Sequence, residues 1–162
     1  ISTLDGLIIP GGESTVIGQM SLVNGAIKKI KEKIESGMPV FGICAGMVFL
    51  SKNSQDRIVG NVDQPLLDIL DVKIERNSFG RQKDSFEAKI SMEPIGISSF
   101  HGVFIRAPSV SETGSGVEVL AKFNEKIVAV KQGNVIATAF HPELTKDTSL
   151  HKSFVKLVDN QS

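Results

Sequence analysis

Apolar positions along this chain switch repeatedly between two periods, and the switching predicts an α/β domain. Residues 4–9 form a short, nearly continuous apolar run of the kind that becomes a buried strand. Leu22, Ala26, Ile27, Ile30 and Ile34 then recur at helical spacing, while Lys28, Lys29, Lys31, Glu32, Lys33 and Glu35 take the opposite, solvated face. Gly37 suits the end of that helix, and Pro39 stops its continuation. Residues 40–43 are a second β-prone run, and residues 45–52 follow as a helix. Strand, helix, strand, turn, helix is the order of a parallel sheet covered by helices. Sites in such sheets lie at the carboxyl ends of the strands.

Beyond this half the period shortens. Residues 53–64 are polar and read as a loop. Val72 and Ile74, and then Phe86, Ala88 and Ile90, alternate with polar residues as two strands. Between them residues 76–82 form a polar, arginine-containing connection. Val103 and Ile105 mark a further strand closed by Arg106-Ala107-Pro108, and residues 109–116 read as a turn-rich loop. Residues 117–123, 127–131 and 135–139 are three short strands separated by turns, which predicts an antiparallel meander. Leu150, Phe154, Leu157 and Val158 give a C-terminal amphipathic helix.

Composition narrows the function classes. Eighteen basic residues balance eighteen acidic ones, so nothing draws the chain to nucleic acid or to a membrane surface. No apolar run approaches a transmembrane length. A single cysteine excludes an internal disulfide and, with no export signal visible, predicts a reducing, cytoplasmic setting. No Cys/His cluster has metal-ligand spacing, so no metal is expected.

The candidate chemistry sits on two strand ends. Gly42-Ile43-Cys44-Ala45-Gly46 places Cys44 on a sharp strand-to-helix turn, an elbow that presents a nucleophile in a strained backbone conformation. Bulky neighbours would crowd that turn, and the following helix N-terminus favours the thiolate. A lone cysteine is as readily a buried structural thiol. At the end of the last strand, Phe140-His141-Pro142-Glu143 supplies the missing partners. Pro142 biases His141 to an extended conformation, in which residues two apart share a side, so Glu143 can orient the imidazole towards a nucleophile. Cys44, His141 and Glu143 thus compose a possible Cys–His–Glu triad. His101 and His151 have no acid in comparable register. Pro10-Gly11-Gly12-Glu13-Ser14 is a turn after the first strand whose backbone N–H groups could face a ligand, or simply a tight turn.

Taken together, the elbow, the His141-Pro142-Glu143 run, residues 10–15, residues 75–82 and residues 102–108 resemble the class I, triad-type glutamine amidotransferases. Within them the chain is similar to the glutaminase subunits of pyridoxal 5′-phosphate synthases. The resemblance runs from Asp5 to the C-terminal helix. It implies a three-layer flavodoxin-like fold, with a mixed, mostly parallel sheet, helices on both faces and an antiparallel C-terminal portion. It implies that Cys44 attacks the side-chain amide of L-glutamine, with His141 as base and acid and Glu143 orienting it. Gly12, Glu13, Ser14, Arg76, Ile105 and Arg106 would bind glutamine, either arginine being able to pair with its α-carboxylate. The backbone of Gly12 and Ala45 would form the oxyanion hole. The ammonia would pass to a barrel-shaped synthase subunit in a hetero-oligomeric complex, where pyridoxal phosphate is a product rather than a cofactor of this chain. No cofactor is expected here.

Three departures accompany the resemblance. Family members begin with a further strand and helix carrying a glutamine–glycine loop, so residues 1–162 read as a single amidotransferase domain lacking that segment, which the native protein is expected to carry. Ser109 stands where a histidine often follows Ala-Pro, and Asp68 where a glycine is common. Two rival functions are a related cysteine-elbow hydrolase or glutaminase for another synthase, and a non-enzymatic interaction subunit. The first has no reason for the block at residues 76–82. The joint presence of Cys44, His141 and Glu143 speaks against the second.

Overall fold

The computed structural model describes residues 1, 3–56, 60–61, 63–80 and 84–161. Arg81 and Gln82 of the polar connection, with residues 57–59 and 62 of the expected 53–64 loop, lie outside the described residues. The chain opens with β1 (Leu7–Ile9), α1 (Ser14–Val23), α2 (Ala26–Glu35), β2 (Val40–Ile43) and α3 (Ala45–Leu50). Then come β3 (Ser51–Asp56), β4 (Gly60–Asn61), β5 (Leu70–Arg76), β6 (Ser85–Met92), β7 (Ile97–Ile105) and β8 (Ser109–Thr113). It closes with β9 (Glu118–Phe123), β10 (Lys126–Gln132), β11 (Val135–Thr138) and α4 (Ser149–Asp159).

One sheet runs β1-β2-β11-β10-β8-β5-β3-β4, with β9 added on β10, and β6 and β7 form a separate hairpin. β1, β2 and β11 are mutually parallel, as are β3 and β5, while β10 reverses direction between β11 and β8. The expected meander is therefore present in β9, β10 and β11. Helices cover both faces of the parallel part. The Phe41 ring meets Phe154 and His151 of α4, at 5.8 Å and 6.1 Å between ring centroids. The next residue faces the other way, where a Cβ on Gly42 would come 2.5 Å from the Leu50 side chain of α3. This is the three-layer α/β arrangement that the resemblance implied.

Several boundaries differ from the pattern reading. The polar stretch from residue 53 is not a loop at its start: β3 reaches Asp56 and pairs with β5, its partners' hydrogen bonds outweighing low strand propensity. The same strand shortens α3, which stops at Leu50 where Ser51 turns extended. Residues 22–34 are two helices rather than one, divided at Asn24-Gly25, where Gly25 takes φ +68°. Leu22 is accordingly exposed rather than core. Residues 109–113, read as loop, form β8 between β10 and β5. The first strand spans only residues 7–9.

Two of the three departures have local accounts. Asp68 adopts φ +52°, a left-handed backbone that glycine takes without strain. Ser109 is buried and its hydroxyl lies 2.6 Å from that of Ser78, a pair that Lys126 joins at 2.7 Å. Among the described residues no helix is long and apolar enough to cross a membrane.

The core is continuous, and its aromatic part steadies the site. Phe79, Phe86, Phe104 and Phe123 pack against one another, Phe79 edge-on to Phe86 and Phe104, with Phe86 and Phe104 parallel at 4.5 Å. Phe104 also meets Phe140 at 5.5 Å. Those two fully buried rings immediately precede Ile105 and His141, so packing sets which way both site segments leave the core.

Candidate active site

Three neighbouring parallel strands deliver three segments to one end of the sheet. Ile9 pairs with Gly42 and Ile43 with Thr138, so the turn after β1, the elbow after β2 and the segment after β11 emerge side by side. The Cys44 N–H donates to the Thr138 carbonyl at 2.7 Å, tying the second to the third.

Cys44 has φ +51° and ψ −101°, a left-handed conformation that a non-glycine residue adopts only when its surroundings enforce it. The enforcing contacts are steric. A Cβ on Gly42 would lie 2.9 Å from the Gly46 carbonyl, and one on Gly46 would run into the Ile9 carbonyl. The elbow therefore closes only because α3 touches β1 and β2 through glycines. The thiol is buried and donates to the Ile105 carbonyl at 3.9 Å. Burial pushes its pKa from the ordinary 9.0 up to about 11; the Ala45 N–H opposes this, Glu143 adds to it and Arg106 opposes it. The helix N-terminus acts in the expected direction, favouring the thiolate, but desolvation outweighs it.

His141 is extended and donates its backbone N–H to the Val103 carbonyl at 2.8 Å. Its Nδ1 lies 2.7 Å from Glu143 Oε1. Glu143 itself belongs to a short 3-10 turn at Pro142–Leu144 rather than to extended chain, and the turn still brings the carboxylate to the ring. Gly11 closes over the imidazole: a Cβ there would sit 2.5 Å from His141 Cε1 and 3.2 Å from Nδ1. That close approach accounts for the first glycine of the turn, and φ +144° accounts for the second, Gly12.

The opposite wall is polar. Glu13 caps α1, accepting from the N–H groups of Thr15 at 3.2 Å and Val16 at 2.9 Å, and its Oε1 also lies 3.2 Å from Arg76 Nη2. Burial alone would raise the Glu13 carboxyl, but the Thr15 and Val16 bonds together with Arg76 hold it below the ordinary 4.5. Arg76 ends β5, five places along the sheet path from β1, so the sheet must curl to bring it to Glu13.

A cavity of about 490 Å³ joins the two walls, lined among others by Gly12, Glu13, Ser14, Cys44, Ala45, Arg76, Ile105, Arg106 and His141. The structure thus brings the sequence-derived candidates together; Glu143 stands behind His141. Val48, Asn77 and Pro108 also line the cavity and were missed. Val48 lies one helical turn beyond Cys44 and was legible from that spacing. Gln64, which braces the polar wall, left no signal in the hydrophobic pattern. Among the described residues no cluster could hold a metal ion.

The chain is similar to known proteins over nearly its whole length. The model of the SNO glutamine amidotransferase family matches residues 1–160. The pyridoxal 5′-phosphate synthase subunit PdxT of Nitrosopumilus maritimus is 66% identical over 158 residues, covering 98% of this chain and 77% of that relative. The PdxT subunit of Moorella thermoacetica is 49% identical, over 94% of this chain and 79% of its own. A crystal structure of a glutamine amidotransferase superposes with a TM-score of 0.89 at 46% identity, over 96% of this chain and 80% of that one.

Proposed function

This chain belongs to the SNO glutamine amidotransferase family, and on that premise we propose that it hydrolyses L-glutamine to L-glutamate and ammonia through a thioester on Cys44. The ammonia goes to a barrel-shaped synthase subunit in a hetero-oligomeric complex that makes pyridoxal 5′-phosphate. The observation that carries the reading is the strained Cys44 elbow sharing one cavity with an imidazole whose Nδ1 is held by Glu143 at 2.7 Å.

With Nδ1 on the carboxylate, Nε2 of His141 is left to take the thiol proton. Because burial keeps the thiol protonated, that transfer accompanies the attack of Sγ on the side-chain amide carbon. The carbonyl oxygen becomes an oxyanion, stabilised by the N–H groups of Ala45, at the start of α3, and Gly12. Collapse breaks the C–N bond, and the imidazolium returns its proton to the leaving nitrogen as ammonia departs. Water then attacks the thioester and gives a proton to His141. The second oxyanion collapses, the C–S bond breaks and the sulfur recovers its proton, leaving glutamate. Arg76 and Arg106 supply the positive charge that the substrate's α-carboxylate needs, and Glu13 and Ser14 offer acceptors for its ammonium group.

The test is release of ammonia and glutamate from glutamine, with and without the synthase subunit, beside Cys44→Ala. Release that depends on the synthase and falls by roughly 1,000-fold or more in Cys44→Ala is the expected result. Undiminished release by Cys44→Ala, or none from the unaltered chain with a competent synthase, overturns the reading.

A further inference from the structure

Gln64 is buried, with 8% of its surface exposed, in a stretch whose sequence carries no catalytic pattern. Its side-chain amide is engaged at both ends. Oε1 accepts from Thr15 Oγ1 at 2.9 Å, Ser14 Oγ at 3.1 Å and Arg76 Nη1 at 3.5 Å, while Nε2 donates to Ser54 Oγ at 3.0 Å. The arginine decides which atom is which, because a guanidinium has no acceptor and must face the oxygen. The next residue is equally close to the site's framework: a Cβ on Gly18 of α1 would meet the Pro65 carbonyl at 2.5 Å. Residues 64–65 are therefore the seat on which the first turns of α1 rest.

The consequence falls on Arg76. Its Nη2 is taken by Glu13 and its Nη1 by Gln64, so the guanidinium is steadied from two sides while its further N–H donors remain for the cavity it lines. Ser14, another cavity residue, is oriented by the same amide oxygen. A guanidinium with long, unconstrained torsions loses rotamer freedom when it binds a carboxylate, and one already aimed avoids most of that loss.

We infer that Gln64 is a positioning residue for glutamine binding: its amide oxygen aims Arg76 and the Ser14 end of α1 at the substrate, without touching it. This rests on the proposed glutaminase reading. The role belongs to ground-state binding rather than to the bond-breaking step, so it separates KM from kcat.

The experiment uses the full chain with its synthase subunit and two variants of similar length. Gln64→Met removes both hydrogen-bonding ends, and Gln64→Glu keeps an acceptor for Arg76, Ser14 and Thr15. KM for glutamine is expected to rise about tenfold in Gln64→Met, the usual effect of losing one hydrogen bond to a charged group, with kcat within about threefold. Gln64→Glu should recover most of that affinity. Calorimetric titration of glutamine into Cys44→Ala, with and without Gln64→Met, should give the same tenfold change in Kd. An unchanged KM and Kd in Gln64→Met overturns the inference. So does a loss carried by kcat, with a lowered Tm and no recovery in Gln64→Glu, which would make the residue purely structural. If the unaltered complex has no glutaminase activity the function reading fails, and the calorimetric arm still decides Gln64: a Kd that Gln64→Met does not change, or no binding, overturns it.

Discussion

The two walls of the cavity are built by different means. Around Cys44 the tight contacts run through glycine backbone: Gly42 against Gly46 and the Leu50 side chain, Gly46 against Ile9, Gly11 against the His141 imidazole. Around Arg76 they are side chain against side chain: Glu13, Gln64, Ser14 and Thr15. The walls also treat acids oppositely. Burial drives the Cys44 thiol up to about 11, whereas hydrogen bonds hold the partly exposed Glu13 carboxyl below its ordinary value despite its own desolvation. A nucleophile must be placed to within a fraction of an ångström, and backbone packing with no rotamers to relax achieves that. A charged substrate end needs complementary groups that can adjust, and networks of polar side chains supply them. The first wall should be intolerant of one added methyl group. The second should lose affinity by degrees.

Gly11→Ala tests the intolerance most directly. The added Cβ displaces the imidazole, which lies at the end of a movable side chain, so kcat should fall about 100-fold while Tm changes little. Steady-state kinetics beside a thermal melt reads both, and a normal kcat would show that the ring's placement is looser than the packing indicates.

The buried thiol gives the next largest effect, on stability. Between the ordinary pKa of 9.0 and the native value of about 11, the unfolded chain has lost a proton that the folded chain retains. Stability must therefore fall as pH rises through that window. Relative to Cys44→Ala, the unaltered chain should lose about 2 kcal/mol between pH 8 and 10.5 in urea titrations. Parallel curves for the two proteins would mean that the sulfur is well solvated.

Glu13→Gln is the mildest change, on the adjustable wall. It removes the charge facing Arg76 and weakens the α1 cap, so KM for glutamine should rise about fivefold and stability fall by about 1 kcal/mol, with kcat nearly unchanged. A loss in kcat equal to that of Gly11→Ala would erase the distinction between the walls.

Legibility in the sequence follows the same division. Gly42, Gly46 and the turn at residues 10–14 were readable because sterics within a few residues dictate them, and so was the nearness of His141 and Glu143. Gln64 was not readable, because a polar residue in a polar stretch differs from its neighbours only by what it meets, and its partners lie 10 to 50 positions away. β3 was lost for the same reason: Ser51–Asp56 carries little strand propensity of its own and is a strand because β5 lies beside it.

The sequence by itself determined the α/β class, the C-terminal meander, the elbow, the histidine–glutamate pair and the family resemblance, since each is written in short-range spacing and residue size. Only the tertiary structure decided that the sheet curls until Arg76 returns to Glu13, and that Gln64 braces both. It alone decided that burial raises the Cys44 pKa against the pull of the helix N-terminus. Burial and long-range closure set those outcomes, and they depend on the whole chain's packing rather than on any stretch of it.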